Sequence, residues 1–257
     1  MTNSFVGMRN AGRLAASTLD FITPYVQEGV TTEHLDELCH NFITSNGAIP
    51  ATLGYNGYPK STCISINEVI CHGIPSSRKL ENGDILNIDV TVILDGWHGD
   101  TSKMFYVGTP SSAAQRLVEA AYKSMMMGIN TVKPSATIGD IGSAIQKYAE
   151  SKKYSVVRDF CGHGIGREFH ASPSVLHFGR PKKGAVLVEG MTFTIEPMIN
   201  AGKYNTVILD DGWTAITADG SLSAQFEHTI GVTGSGTEIF TLSPKGLNLP
   251  PYNLNTL

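Results

Sequence analysis

The sequence predicts an α+β fold made of two similar halves, and three observations carry that expectation. Each half reads as two helices followed by short strands. A carboxylate follows a glycine by six residues in both Gly83-Asp-Ile-Leu-Asn-Ile-Asp89 and Gly190-Met-Thr-Phe-Thr-Ile-Glu196. Cys71-His72-Gly73-Ile74 is echoed by Cys161-Gly162-His163-Gly164-Ile165. The expected repeat is therefore internal and pseudo-twofold.

The elements follow in order. Arg9–Val26 has few breakers and apolar side chains at near-helical spacing. Thr31 or Thr32 can cap a second helix, Glu33–Thr44, with Leu35, Leu38, Cys39 and Phe42 on one face. Thr62–Ile66, Ile85–Leu94 and Met104–Val107 are short β-rich runs. The second half offers helices over Arg116–Val132 and, capped by Thr137, Ile138–Glu150. Aligning Val26 with Val132 lays Leu35 on Ile141, Cys39 on Ile145 and Phe42 on Tyr148. No Ser/Pro/Gly-rich linker separates the halves, each too small for its own core. One domain over residues 1–257 is expected, with halves at about 9–110 and 111–242.

Bulk composition excludes several classes. The chain has 257 residues, 41% hydrophobic and 16% charged, and a net charge of −4, ordinary values for a folded, water-exposed protein. No Lys/Arg run exceeds two residues, so no nucleic-acid motif is expected. No stretch of about 18 apolar residues suggests a membrane span, and Met1–Arg13 lacks a signal's apolar core. Cys39, Cys63, Cys71 and Cys161 form no CxxC pair, which fits a reducing, cytoplasmic setting.

The chemistry begins at Asn87–Asp100. Asp95-Gly96 is a type I′ hairpin signal between two β-rich runs. A two-residue loop pairs Leu94 with Trp97, Thr91 with Asp100 and Asp89 with Ser102. Asp89, Thr91 and Asp100 then share a sheet face, the two carboxylates as diagonal neighbours. A cation between them would relieve their repulsion. The plain alternative is an edge hairpin whose acids face water, and a bulge would change the register. Glu196, at the end of Thr192-Phe-Thr-Ile, and Glu227, in Ser223–Ile230, are their counterparts by pseudo-symmetry. His163 lies in the glycine-rich Cys161–Gly166, where capping a loop is its alternative role. Asp, Asp, His, Glu and Glu suit hard or borderline divalent ions: Mn, Fe, Co or Zn. Four negative charges are too many for one catalytic zinc and suit two ions, which lower the pKa of water.

These residues resemble the methionine aminopeptidase family, in its bacterial type I form. The resemblance runs from the Met8-Arg9 helix to about Leu242. Its most specific stretches are Leu53–Lys60, Cys63–Pro75, Asp100–Met104, Cys161–His170, Met191–Met198 and Ser221–His228. It implies the pita-bread fold, an antiparallel sheet holding two metals. It also implies that Asp100 and Glu227 bridge both ions, that Asp89 holds one, and that His163 and Glu196 hold the other. The activity implied is hydrolysis of the first peptide bond after an initiator methionine, with a small second residue preferred. His72 would lie near the scissile amide, His170 would hydrogen-bond the substrate carbonyl, and Glu196 would shuttle a proton. Tyr55, Tyr58, Cys63, Phe169 and Trp213 would wall the methionine pocket beside His72 and His170. Plain core packing is the other role for such aromatics.

The implied partners are nascent polypeptide N-termini, met at the ribosome, with the enzyme a monomer in the cytoplasm. No Cys/His-rich extension precedes Met8, and His177–Gly190 is compact, which fits type I. The chain's own Met1-Thr2 start is a candidate substrate, and Asn253–Leu257 carries no motif. Cys39, Cys71, His34, His40, His98, His177 and His228 are assigned to structure. Two rivals stand beside this reading: a proline-specific peptidase on the same fold, and a binding protein that has lost catalysis.

Overall fold

A computed structural model describes residues 5–252. The Met1-Thr2 start and the 253–257 tail lie outside the described residues. Helix α1 spans Val6–Ile22, and a 3₁₀ turn, Thr23–Tyr25, continues it past Pro24. It starts three residues earlier than its apolar spacing suggested. Helix α2 spans Thr32–Ser45, and the Thr31 side chain accepts the His34 N–H as its cap. Helix α3, Ser112–Ile129, begins before the expected Arg116 because the Ser111 hydroxyl caps it. Helix α4, Ile138–Ser151, opens on a capping box in which Thr137 and Asp140 satisfy each other's backbone N–H groups.

A nine-stranded sheet joins the two halves. Its path runs Ile49–Pro50, Ile85–Leu94, Trp97–Tyr106, Glu227–Val232, Thr192–Ile195, Gly162–Gly164 and Ala171–Val175. Cys63–Ile66 pairs with Ile85–Leu94, and Thr237–Ile239 pairs with Glu227–Val232. All of these pairings are antiparallel. The helices back one face of the sheet. α1 and α2 bury Leu19, Leu35 and Ile43 against Ile88, Val90 and Phe105. α3 and α4 bury Leu117, Ile141 and Ile145 against Phe193, Ile195 and Phe226. Each such side chain contributes about 1.5–3 kcal/mol by leaving water, so the helix layer anchors the strands firmly. The opposite face is left for polar groups. This is the α+β arrangement expected from the sequence, with antiparallel strands at its centre, and it agrees with the pita-bread fold that the resemblance implies.

The central hairpin forms in the predicted register. Leu94 pairs with Trp97, Thr91 with Asp100 and Asp89 with Ser102. Asp95 and Gly96 both have positive φ, 52° and 76°, as a type I′ turn requires. The second strand covers Trp97–Tyr106, well beyond the β-rich Met104–Val107. Pairing on both edges holds the polar Trp97–Lys103 stretch in the sheet despite its weak β propensity.

Candidate metal centre and substrate cavity

Two residue rows cross the polar face of the sheet. In one, Cys63 faces Asp89, Asp89 faces Ser102, and Ser102 faces Glu227. Glu196 extends this row, following the His228–Ile195 pair by one position. The adjacent row holds Thr91, Asp100, Thr229 and Thr194, with Thr229 linked to the Asp100 backbone through its hydroxyl. His163 joins it by donating its backbone N–H to the Thr194 hydroxyl. Period-two alternation therefore aims all five candidate ligands to one side.

Glycine makes room for His163. A Cβ at Gly162 would lie 2.4 Å from the Thr194 carbonyl oxygen, and one at Gly164 would lie 2.2 Å from that of Ser172. Only bare backbone lets this short strand slot between its neighbours. The His163 ring donates from Nδ1 to the Gly164 carbonyl at 3.1 Å, which turns Nε2 toward the acids. Nε2 lies 3.6 Å from Asp100 Oδ2 and 3.7 Å from Glu196 Oε1. Asp100, His163 and Glu227 each offer a ligand atom within 4.8 Å of the others.

Asp100 and Glu196 are held by neighbouring hydroxyls. Thr91 donates to Asp100 Oδ1 at 2.6 Å, and Thr194 donates to Glu196 Oε1 at 2.7 Å. The Glu196 backbone N–H donates to His177 Nε2 at 3.1 Å. Burial holds His177 neutral, its pKa pushed down to about 3. Asp89 differs: its Oδ1 is buried and has no hydrogen-bond partner among the described residues. An anionic oxygen in that position is costly unless a cation meets it.

The electrostatics agree. Burial, then Asp100 and Glu196, push Asp89 well above the usual carboxylate range. Burial and the same two neighbours do likewise to Glu227. Burial also raises Glu196, to about 7, with Asp100 adding to it and His163 and Thr194 opposing. Burial lowers the His163 pKa, but Asp100 and Glu196 outweigh it and bring it to about 9. The cluster is short of positive charge and draws in protons where it lacks another cation. Its oxygen and nitrogen donors fit a divalent ion.

A cavity of about 400 Å³ opens over these ligands. All twelve residues singled out in the sequence line it: the five above with Tyr55, Tyr58, Cys63, His72, Phe169, His170 and Trp213. Tyr58 and Cys63 are buried in its wall. The Trp213 ring meets Tyr58 edge-on at 5.1 Å, and Tyr55 meets Phe169 at 4.9 Å. His72 adopts a left-handed backbone, φ 56°, rare for a residue with a side chain. Its ring sits edge-on to Phe160 at 5.4 Å, and burial lowers its pKa while Asp100 opposes. The His170 ring stacks on Phe169 at 4.1 Å, and its Nδ1 lies 2.8 Å from the Tyr55 hydroxyl. Burial, reinforced by His163, brings the His170 pKa down to about 4.

The model described as metallopeptidase family M24 matches residues 6–234. A methionine aminopeptidase of Rickettsia prowazekii is 64% identical over 249 residues, 96% of this chain and 96% of that protein. The chain belongs to metallopeptidase family M24, among its methionine aminopeptidases. The crystal structure of methionine aminopeptidase from Rickettsia prowazekii superposes with a TM-score of 0.92 at 63% identity, covering 93% of this chain and 97% of that one. A prolidase from Pyrococcus furiosus gives a TM-score of 0.75 at 20% identity, covering 94% of this chain and 64% of that one, a likeness of fold alone. Membership in this family of metallopeptidases makes the chain a metal-dependent hydrolase that uses divalent metal.

Sequence reasoning missed some of the cavity. Cys71, assigned to structure, is buried and also lines the cavity. Thr52, Asp159, Phe160, Cys161, Met198 and Gln225 line it as well. Thr194 was within reach of a sequence argument, since it precedes Glu196 by two residues and so shares its face. The loop residues Asp159 and Phe160 carried no such signal. His98 and His177 keep structural roles, holding the Gly166 carbonyl and the Glu196 N–H.

No helix among the described residues is long and apolar enough to cross a membrane.

Proposed function

We propose that the chain removes N-terminal methionine from nascent polypeptides and peptides by hydrolysing the first peptide bond, favouring a small second residue. The observation that carries this reading is the meeting of Asp100, His163 and Glu227 within 4.8 Å at the floor of the cavity, with Asp89 and Glu196 beside them. These five residues would hold two divalent ions drawn from Mn, Fe, Co and Zn. Asp100 and Glu227, from the two central strands, would serve both ions, Asp89 one, and His163 with Glu196 the other. When bound, the ions would supply Lewis acidity toward water and carbonyl oxygen and an anchor for the free α-amino group.

The chain's own groups do the rest. Glu196, at the floor of the cavity, can accept a proton and return it to the leaving amine. Thr194 and His177 fix its carboxylate and its backbone. With the Tyr55 hydroxyl donating to His170 Nδ1, the opposite N–H of a neutral ring would donate to the substrate carbonyl. His72, held between Phe160 and Trp213, faces the scissile amide. Tyr58, Cys63, Phe169 and Trp213 offer a thioether an aromatic and sulfur-lined wall.

The same reading makes the chain one catalytic domain over residues 1–257, with halves at about 9–110 and 111–242. A sheet continuous across both halves supports it. The enzyme would act as a monomer in the cytoplasm on N-termini met at the ribosome. The test is release of methionine from Met-Ala-Ser by chelator-treated protein reloaded with Mn, Fe, Co or Zn. Metal-dependent release is expected, with none from Xaa-Pro peptides. The reverse pattern would move the substrate to proline peptides, and no metal uptake would favour a binding protein.

A further inference from the structure

The cavity is small, and a polypeptide substrate extends beyond it. Ligand pockets commonly enclose about 300–1,000 Å³, and this one lies near the lower end. If the proposed substrate is correct, its third and later residues must lie outside, along the rim. Asp159 is an exposed part of that rim. It accepts a hydrogen bond from the Thr206 hydroxyl at 2.5 Å. Thr206 opens the strand Thr206–Ile208, the outermost of a small sheet completed by Ala215–Thr217 and Val69–Cys71.

Two features of this strand are unexplained by folding. The first is its surface: Val207, Ile208 and Leu209 are 46%, 48% and 40% exposed, three apolar residues in succession. The second is its backbone. Leu209 donates to Thr214, and Ala218 donates to Asn205, so alternate residues face the inner strand. The N–H and C=O groups of Thr206 and Ile208 therefore point to the free edge. No strand among the described residues pairs there. Ile208 also faces Ala215 across the ladder, and Ala215 is buried with Cys71, Phe160 and Met198 of the cavity wall. The Asp159–Thr206 hydrogen bond sets this edge directly beside the cavity rim. Neighbouring Asp210 and Asp211 give the hairpin tip an acidic character, which disfavours a polyanion as occupant.

We propose that the outer edge of Thr206–Ile208 is an extended subsite, which takes the substrate chain beyond its third residue as an added β-strand. Strand addition draws affinity from backbone hydrogen bonds and so accepts many sequences. That suits an enzyme whose substrates share only their first residues. The inference rests on the methionine-releasing reading, and peptide length separates the two.

The experiment compares Met-Ala-Ser with an octapeptide, Met-Ala-Ser-Val-Thr-Val-Ser-Thr, on wild type and on Ile208→Pro, which deletes an outward N–H without touching the inner ladder. A second variant, Val207→Thr/Ile208→Thr/Leu209→Thr, keeps β propensity and removes the apolar surface. Wild type should show a several-fold higher kcat/KM on the octapeptide, carried by KM. Both variants should erase that advantage and leave tripeptide turnover unchanged, which also reports that the fold is intact. Equal kcat/KM for the two peptides on wild type would overturn the subsite. So would an octapeptide advantage that survives both variants, or a dimer at this edge that Ile208→Pro abolishes. Failure to release methionine from the tripeptide would remove the underlying reading and the subsite with it.

Discussion

The central hairpin carries buried charge on both faces and treats it in opposite ways. On the helix face, Lys103 lies 3.2 Å from Asp20 of α1, and both are almost fully buried. Ser243 donates to both Asp20 oxygens, the Lys245 N–H adds another donor, and Lys103 also reaches the Leu247 carbonyl. The Lys103 ammonium sits 4.5 Å over the Tyr252 ring. Charge there is balanced inside the protein. On the opposite face, Asp89 and Asp100 meet Glu196 and Glu227, and among the described residues only His163 forms ion pairs with them. A paired buried charge belongs to the fold, whereas an unbalanced buried cluster is material for a site.

The unbalanced face is most sensitive at its candidate ligands. Asp89→Asn and Glu227→Gln should each lower turnover by about 100-fold or more, since even outer partners of a metal commonly account for 10–100-fold. Metal-free melting should not fall, because each change removes like-charge repulsion. Wild-type turnover from either variant would exclude the site.

The helix face should respond in the other sense. Asp20→Asn strands Lys103 in the interior and should destabilise the protein by about 3 kcal/mol, read from urea unfolding. Turnover of the folded enzyme should be nearly unchanged. Stability equal to wild type would show that Lys103 needs no partner.

Acidity sharpens the contrast at smaller amplitude. Asp89, Glu196 and Glu227 have raised pKa values in the fold. They favour the folded state below about pH 4 and lose that contribution as pH rises, Glu196 through about 7. On the helix face His228 is buried and lowered to about 4, so its contribution is present above about pH 6.5 and lost as pH falls. A divalent ion bound there would replace the protons on the carboxylates and leave His228 alone. The rise in melting temperature on adding Mn to chelator-treated protein should therefore be larger at pH 8 than at pH 5. An increment independent of pH would place the ion away from these carboxylates.

Much of the site was legible because hairpin geometry is local. Asp95-Gly96 fixed the turn, the turn fixed the register, and the register placed Thr91 opposite Asp100 and Asp89 opposite Ser102. The caps at Thr31 and Thr137 were legible for the same reason. The start of α3 was not, since Ser111 caps it ahead of any apolar periodicity. The cavity loop at Asp159 and Phe160 carried no periodicity at all, so only its folded contacts reveal it.

By itself, the sequence determined the α+β class, the hairpin register and five candidate ligands that share one cavity. Alternation and turn chemistry act over a few residues, and the order of types repeats in both halves. Only the tertiary structure decided that Ser102 pairs with Glu227, which closes one sheet across the halves and sets His163 against Asp100. That pairing spans more than a hundred residues and is stabilised by burial of the helix layer behind it, and no local pattern encodes a contact of that range.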